Sequence, residues 1–185
     1  MGRMRYITRW GLMRNTFSEN IQEHSHQVVV LAHALALIRR DILQLPGPDP
    51  DKCAVAALYH DASEILTGDL PTPIKYYNPD IKTAYKQVER IAGERLLDML
   101  PRALRASYEH LVLEDDEKVT PIVKAADKLS AYIKCIEEEK CSNMEFKEAK
   151  KATYASLVEM DCPELKIFMD TYLDSFSLTL DEMQK

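Results

Sequence analysis

At 185 residues, with 46% hydrophobic and 29% charged residues, the chain has the length and balance of one domain (1–185) that buries its own core. Its formal net charge of -6 offers no general attraction for a nucleic-acid polymer or an anionic membrane surface, so an anionic ligand must be met by local positive charge. No run of about 18 apolar residues and no signal-like segment occurs. The four cysteines (Cys53, Cys135, Cys141, Cys162) lack CxxC spacing, so a reducing, cytoplasmic setting is expected. With five glycines and 8% aromatics, the composition suits a helical globule better than a β-sandwich rich in turns.

The N-terminal stretch supplies local positive charge, because Arg3, Arg5, Arg9 and Arg14 all precede the first acid, Glu19. Arg9-Trp10 sets a phosphate-binding guanidinium beside the chain's one tryptophan, a plane able to stack on a base. As an isolated dipeptide it is equally accounted for by Trp10 covering the core. Residues 21–38 then read as a helix with apolar residues nearly all round, with Asn20 as N-cap and Glu23 completing a capping box. At about 100° per residue, His24 falls on the stripe of Ile21, Val28, Leu31, Ala32 and Leu35, while His26 and His33 point the other way. An inward histidine alone is more commonly a hydrogen-bonded core residue than a ligand.

After a Pro/Gly/Asp break at 45–50, residues 51–66 read as a second buried helix, ended by Gly68, Pro71 and Pro73. It carries Tyr59-His60-Asp61-Ala62-Ser63-Glu64, in which Glu64 lies one turn beyond both His60 and Asp61. A hydrogen-bonded His60-Asp61 pair is the plain explanation, but a buried carboxylate is costly and a cation relieves that cost better than a neutral imidazole. The stretch 67–78 follows as an ordered loop, in which Gly68 and two prolines accompany an acid, Asp69, and a base, Lys75.

Asn78 and Pro79 open a third long helix with Ile81, Ala84, Tyr85, Val88, Ile91, Ala92 and Leu96 in helical register, and Pro101 restarts a shorter one to about Leu113. The acidic run 114–117 reads as a solvated connection. Thr120-Pro121 opens a helix to about Glu139, on which Asp127 is flanked by Ala125 and Ala126. The apolar stripe of this helix (Ile122, Leu129, Tyr132, Ile133, Ile136) lies roughly opposite Asp127, so the pattern makes Asp127 a solvent-facing carboxylate near Lys124. Ser142 and Glu145 form a capping-box pattern for the next helix, Asp161 with Pro163 starts the last, and residues from about Ser177 are peripheral.

Taken in order, His24, His60-Asp61 and Asp127 resemble the H…HD…D pattern of the HD-domain metal-dependent phosphohydrolases. Arg9-Trp10, the run 59–64, Thr67-Gly68-Asp69-Leu70-Pro71-Thr72-Pro73 and Lys124-Ala125-Ala126-Asp127 extend the resemblance, over almost the whole chain, to the bacterial 5′-deoxynucleotidases among them. The resemblance implies an all-α HD-domain helical bundle, a homodimer, and hydrolysis of nucleoside 5′-monophosphates, in the first place 2′-deoxyribonucleotides, with little preference among bases. It implies that His24, His60, Asp61 and Asp127 hold one divalent transition metal (Co, Mn, Fe, Ni or Zn), and it is what makes Asp127 a ligand. It gives Glu64 and Asp69 catalytic roles and makes Arg9, Trp10, Thr67 and Lys75 substrate contacts.

Two features depart from the family pattern: His26 stands where an apolar residue is expected, and the connection between the first two buried helices is short. Competing readings are an HD phosphodiesterase or deoxynucleoside triphosphate hydrolase, and a non-catalytic, metal-stabilised binding module. The lack of extra basic elements for a polyphosphate weighs against the former, and Glu64 with Asp69 against the latter.

Overall fold

In the computed structural model, which describes residues 1–75 and 77–184, the chain folds around helix α1 (Ile21–Leu37). Its start is a full capping box: the Asn20 side chain accepts from Glu23 N, and the Glu23 carboxylate accepts from Asn20 N, both at 3.1 Å. Ile21, His24, Val28, Leu31, Ala32 and Leu35 are all buried, as their spacing predicts, whereas His26 is exposed. Helix α1 packs on α2 (Pro50–Tyr59) and α7 (Val119–Lys140). Ala32, Ala36, Ala57, Ala125 and Ala126 are at most 1% exposed where these helices meet, so their backbones can approach closely.

The predicted second helix is two helices. Helix α2, capped by Asp49 accepting from Lys52 N, stops at Tyr59, and α3 (Glu64–Thr67) follows a tight turn. Across the break the backbone bonds reach three residues back: Ala62 N to Tyr59 O at 2.9 Å, Glu64 N to Asp61 O at 3.1 Å and Ile65 N to Ala62 O at 3.2 Å. The His60 ring lies 2.7 Å from the Ala57 carbonyl, an acceptor that a continuing α-helix would use for Asp61 N. Gly68, at φ 73°, closes α3, and the loop beyond it contains one further helical turn, α4 (Thr72–Lys75). Within the predicted loop 67–78, Tyr76 lies outside the described residues.

Helix α5 (Pro79–Asp98) begins at the expected Asn78 cap, and α6 (Arg102–Val112) follows. Only part of the α5 stripe is buried, because α5 packs at the edge on α3, α4 and α6; Ala92 is covered while Val88 and Ile91 remain exposed. Helix α7 starts one residue before Thr120, since Asp116 accepts from Lys118 N and Val119 N. The capping box expected at Ser142 does not form. Ser142 adopts φ 61°, Asn143 accepts from Glu145 N, and the Glu145 carboxylate bonds Arg14. A 3₁₀ turn (Met144–Phe146) therefore precedes α8 (Lys147–Val158). Helix α9 (Pro163–Tyr172) and a 3₁₀ turn (Leu173–Ser177) complete the helical framework, and Leu178, Leu180 and Met183 are exposed as expected. The fold is all-α: among the described residues the one β-type feature is the bridge of Thr8 with Asn20, and no helix is long and apolar enough to cross a membrane.

That bridge ties the N-terminal segment to the start of α1, and a buried ion pair on α7 holds the following loop. Lys134 Nζ lies 2.5 Å from Glu138 Oε1, donates to Phe17 O at 2.8 Å and sits 3.3 Å from the centre of the Phe17 ring. Glu138 also accepts from Thr16 N at 2.9 Å and Asn143 Nδ2 at 2.8 Å. Both charges are covered, at 2% and 0% side-chain exposure, so removing one strands the other. Glu138→Ala is expected to lower the unfolding free energy by about 3–5 kcal/mol, read from urea denaturation. A loss below about 1 kcal/mol, the value of an exposed pair, would show that Lys134 finds water instead.

Candidate metal centre

His24, in the second turn of α1, places Nδ1 3.2 Å from Ser130 Oγ on α7. Ser130 spends its hydroxyl proton on Gln27 Oε1 at 2.6 Å, so its oxygen is left to accept from the imidazole N–H. His60 Nδ1 lies 2.7 Å from the Ala57 carbonyl, which can only accept. In its neutral form each ring thus carries its proton on Nδ1 and turns Nε2 inward, the orientation a metal ligand needs.

The two Nε2 atoms meet carboxylates. His24 Nε2 is 3.0 Å from Asp127 Oδ1 and 3.6 Å from Asp61 Oδ2, and His60 Nε2 is 3.2 Å from Asp61 Oδ2. Potential ligand atoms of His24, His60 and Asp127 all lie within 4.8 Å of one another. His60 Nε2, Asp61 Oδ2 and Glu64 Oε2 are buried without a hydrogen bond. An imidazole nitrogen facing a carboxylate at 3.0 Å needs positive charge between them, supplied by a ring proton or by a cation that replaces it, and a mixed imidazole-carboxylate set fits a divalent transition ion. His24, His60 and Asp127 can therefore hold a metal ion, with Asp61 touching both imidazoles.

The electrostatics show how strongly the carboxylates concentrate here. Burial opposes ionisation of Asp61, yet His60, His24 and Arg9 outweigh it and hold the carboxyl far below its usual range. Asp127 is likewise held at about 2, against burial, by His24 and His60. Burial works against a charged His60, but Asp61 and then Asp127 push it up to about 10. Glu64 rises to about 9 through burial, reinforced by Asp61 and Asp69, and Asp69 is raised mainly by burial. Arg9 stays cationic: burial disfavours its charge, and Asp61, Asp127, Glu19 and Asp69 overcome that.

Arg9 Nη1 reaches to 3.5 Å from Asp61 Oδ2, and its Nε lies 3.3 Å from Glu19 Oε2. The Trp10 indole donates to the same Glu19 oxygen at 3.0 Å and packs on Phe146 at 5.2 Å between ring centres. The structure thus gathers His24, His60, Asp61, Glu64, Asp69, Asp127 and Arg9, with Trp10 alongside. Thr67 and Lys75 bond elsewhere. The Thr67 hydroxyl donates to Gly68 O, and Lys75 Nζ binds Glu89 at 2.7 Å and lies 5.0 Å from the Tyr85 ring centre.

Glu114 is the residue that pattern reading missed. At the start of an otherwise solvated connection, Glu114 is half-buried at φ 52°, and burial, with Asp61 and Asp127, pushes its carboxyl up to about 7. A run of four acids has no periodicity to single out its first member. Its one distinguishing mark is position, directly after the C-terminus of α6.

The model of the family described as 5′-deoxynucleotidase YfbR-like matches residues 1–176. The chain belongs to this family. Among curated YfbR-like relatives, the 5′-deoxynucleotidase of Erwinia tasmaniensis is 47% identical over 188 residues, covering 100% of this chain and 94% of that one. That of Vibrio cholerae is 47% identical over 186 residues, covering 99% and 95%. The fold of this YfbR-like chain is also that of an HD-domain phosphohydrolase from Listeria innocua, with a TM-score of 0.81 at 20% identity over 100% of this chain and 89% of that one. It resembles the cyanophage S-2L HD phosphohydrolase DatZ, solved with dA and one catalytic Zn²⁺, with a TM-score of 0.62 at 19% identity over 94% of each chain.

If Ser130 fixes the His24 ring, Ser130→Ala frees Nδ1 to exchange its proton with Nε2. Affinity for Co²⁺ or Zn²⁺, measured by competition with a chromogenic chelator, is expected to fall about 10–100-fold with helix content unchanged. Equal affinity in the variant would show that the hydroxyl does not set the tautomer.

Proposed function

We propose that the chain is a single-metal phosphomonoesterase that hydrolyses 2′-deoxyribonucleoside 5′-monophosphates to deoxyribonucleoside and phosphate. The observation that carries this reading is the meeting of two tautomer-fixed imidazoles with Asp61 and Asp127, directly beside a buried guanidinium and two carboxyls able to hold protons. Membership of the YfbR-like family and 5′-deoxynucleotidase relatives at 47% identity support the substrate class, and the deoxyadenosine and zinc in DatZ agree with it.

His24, His60, Asp61 and Asp127 would hold the ion. A divalent cation of the Mn, Fe, Co, Ni or Zn kind, when bound, neutralises a phosphate oxygen and makes its water acidic enough to attack at neutral pH. Arg9, kept charged by four surrounding carboxylates, binds the phosphate dianion through charge-assisted hydrogen bonds. Glu64 and Asp69 serve the proton traffic, taking a proton from the attacking water and returning one to the leaving 5′ oxygen. The carboxyl that takes the water proton has to start ionised and the one that returns a proton has to start neutral; burial raises both Glu64 and Asp69, which suits the second of these tasks.

Trp10 offers a ring beside Arg9, and because every base has a π face, stacking there would accept all of them. With Lys75 engaged by Glu89, Arg9 is the principal positive charge facing the cluster, which suits one phosphate group better than three. Thr67 and Lys75, held by Gly68 and Glu89, would border the substrate rather than grip its phosphate.

The test is phosphate release from ribo- and deoxyribonucleoside mono-, di- and triphosphates under several divalent metals. Deoxyribonucleoside monophosphates should be cleaved with metal and spared after chelation. Undiminished hydrolysis after rigorous chelation, or cleavage confined to the triphosphates, would overturn the reading. Arg9→Ala is expected to lower kcat/KM by about 10²-fold, the scale for losing one preorganised donor to a developing charge. An unchanged KM and turnover would take Arg9 out of the site.

A further inference from the structure

We propose that Glu19 is a positioning residue that fixes Arg9 and Trp10 as one substrate-receiving unit beside the metal centre. The inference rests on the reading that Arg9 receives the phosphate. Glu19 is buried, with its side chain 11% exposed, and one of its oxygens serves both neighbours: Oε2 lies 3.3 Å from Arg9 Nε and 3.0 Å from the indole nitrogen of Trp10. Its backbone carbonyl accepts from Arg9 N at 2.9 Å, so the same residue holds Arg9 by main chain and side chain.

The chemistry of the guanidinium makes this arrangement selective. Arg9 has five N–H donors in a rigid fork. Occupying Nε fixes the plane of the group and leaves the Nη nitrogens directed to the cluster, where Nη1 already approaches Asp61. Without an acceptor at Nε, the long side chain regains its rotamers, and the phosphate would have to order it on binding.

Trp10 needs its own restraint. Its backbone is left-handed, at φ 58°, a region that bulky residues avoid and that concentrates in ligand clamps. The strain is held by Met13 N and Asn15 Nδ2, which both donate to Trp10 O, at 2.9 and 3.3 Å, and at the ring by Glu19. Glu19 Oε1 faces His24 Nδ1 at 3.9 Å, beyond hydrogen-bond reach, while Ser130 holds that nitrogen at 3.2 Å. Glu19 thus acts on Arg9 and Trp10, and metal binding is left to Ser130 and the ligands themselves.

The experiment uses Glu19→Gln, which is isosteric, and Glu19→Ala, in the metal-loaded protein. Three quantities are read: KM and kcat for a deoxyribonucleoside monophosphate, inhibition by inorganic phosphate, and emission of Trp10, the chain's one tryptophan and hence an intrinsic reporter. In Glu19→Ala, KM and the phosphate inhibition constant should rise about 10–100-fold, the scale of one hydrogen bond to a charged group. Metal affinity should stay constant and Trp10 emission should shift. Glu19→Gln keeps a carbonyl for the indole and loses the charge facing Arg9, so it should retain native emission while its phosphate inhibition constant rises.

Unchanged KM and phosphate inhibition in both variants would overturn the proposal, as would a loss of metal affinity large enough to account for the whole defect. If Glu19→Ala fails to fold, the isosteric variant decides alone. Should the wild type cleave no nucleotide, the proposed function fails, while inorganic phosphate binding followed through Trp10 still tests Glu19 separately.

Discussion

The close approach of α1 to α7 is the constraint on which the site depends. Ala32 and Ala36 on one helix and Ala125 and Ala126 on the other are almost wholly inaccessible, and no larger side chain could occupy these contacts without moving the helices apart. That proximity lets Ser130 meet His24 Nδ1 at 3.2 Å while Asp127, three residues earlier, meets His24 Nε2 at 3.0 Å. One helix thus fixes the tautomer of the imidazole and also supplies the carboxylate it faces. A separation wider by an ångström would lose both contacts, since each is already at ordinary hydrogen-bond length.

The break after Tyr59 performs a similar task for the second imidazole. In a continuous helix the Ala57 carbonyl would be occupied by the backbone and His60 would have no fixed acceptor for Nδ1. The tight turn changes the backbone pairing, and the ring takes that carbonyl at 2.7 Å. The turn also starts α3 with Glu64, whose burial beside Asp61 and Asp69 is what raises its carboxyl. Local irregularity, which weakens a helix, here orients an imidazole and buries a carboxyl whose proton is held more tightly.

Much of this could be read from residue order. The capping box at Asn20 and the inward stripe of α1 follow from spacing, so His24 is legible as a buried histidine, and the His60, Asp61, Glu64 grouping is legible as a polar cluster on an apolar helix. The break within that helix is not, because it depends on a side chain competing for a backbone carbonyl. Asp127 defeats periodicity for another reason. The apolar periodicity of α7 marks one face and leaves the opposite one to water, whereas the Asp127 carboxylate, 40% exposed, also faces His24 across the contact with α1. Glu114 is hidden by its three acidic neighbours, and Glu19 by serving through two side chains distant from it in sequence.

The second face of α7 shows what the polar residues there have in common. Asp127, Ser130, Lys134 and Glu138 follow spacings of three, four and four, so they form a single ridge along the helix. Although this ridge lies off the apolar stripe of Ile122, Leu129 and Ile133, Ser130, Lys134 and Glu138 are at most 2% exposed, and only Asp127 at its end reaches solvent. The N-terminal segment covers its Lys134–Glu138 end and α1 the other. Lys134 and Glu138 hold Thr16 and Phe17 at one end, and Asp127 and Ser130 engage His24 at the other; between them in the chain, Glu19 holds Arg9 and Trp10. A buried ion pair is weak evidence for net stability but effective at specifying one arrangement, because every misplacement leaves a charge unpaired. On α7 that specificity is directed at a loop with little apolar anchorage of its own, whose strained Trp10 would otherwise relax. The same polar ridge therefore holds the His24 imidazole at one end and keeps the Arg9-Trp10 segment in register with it at the other.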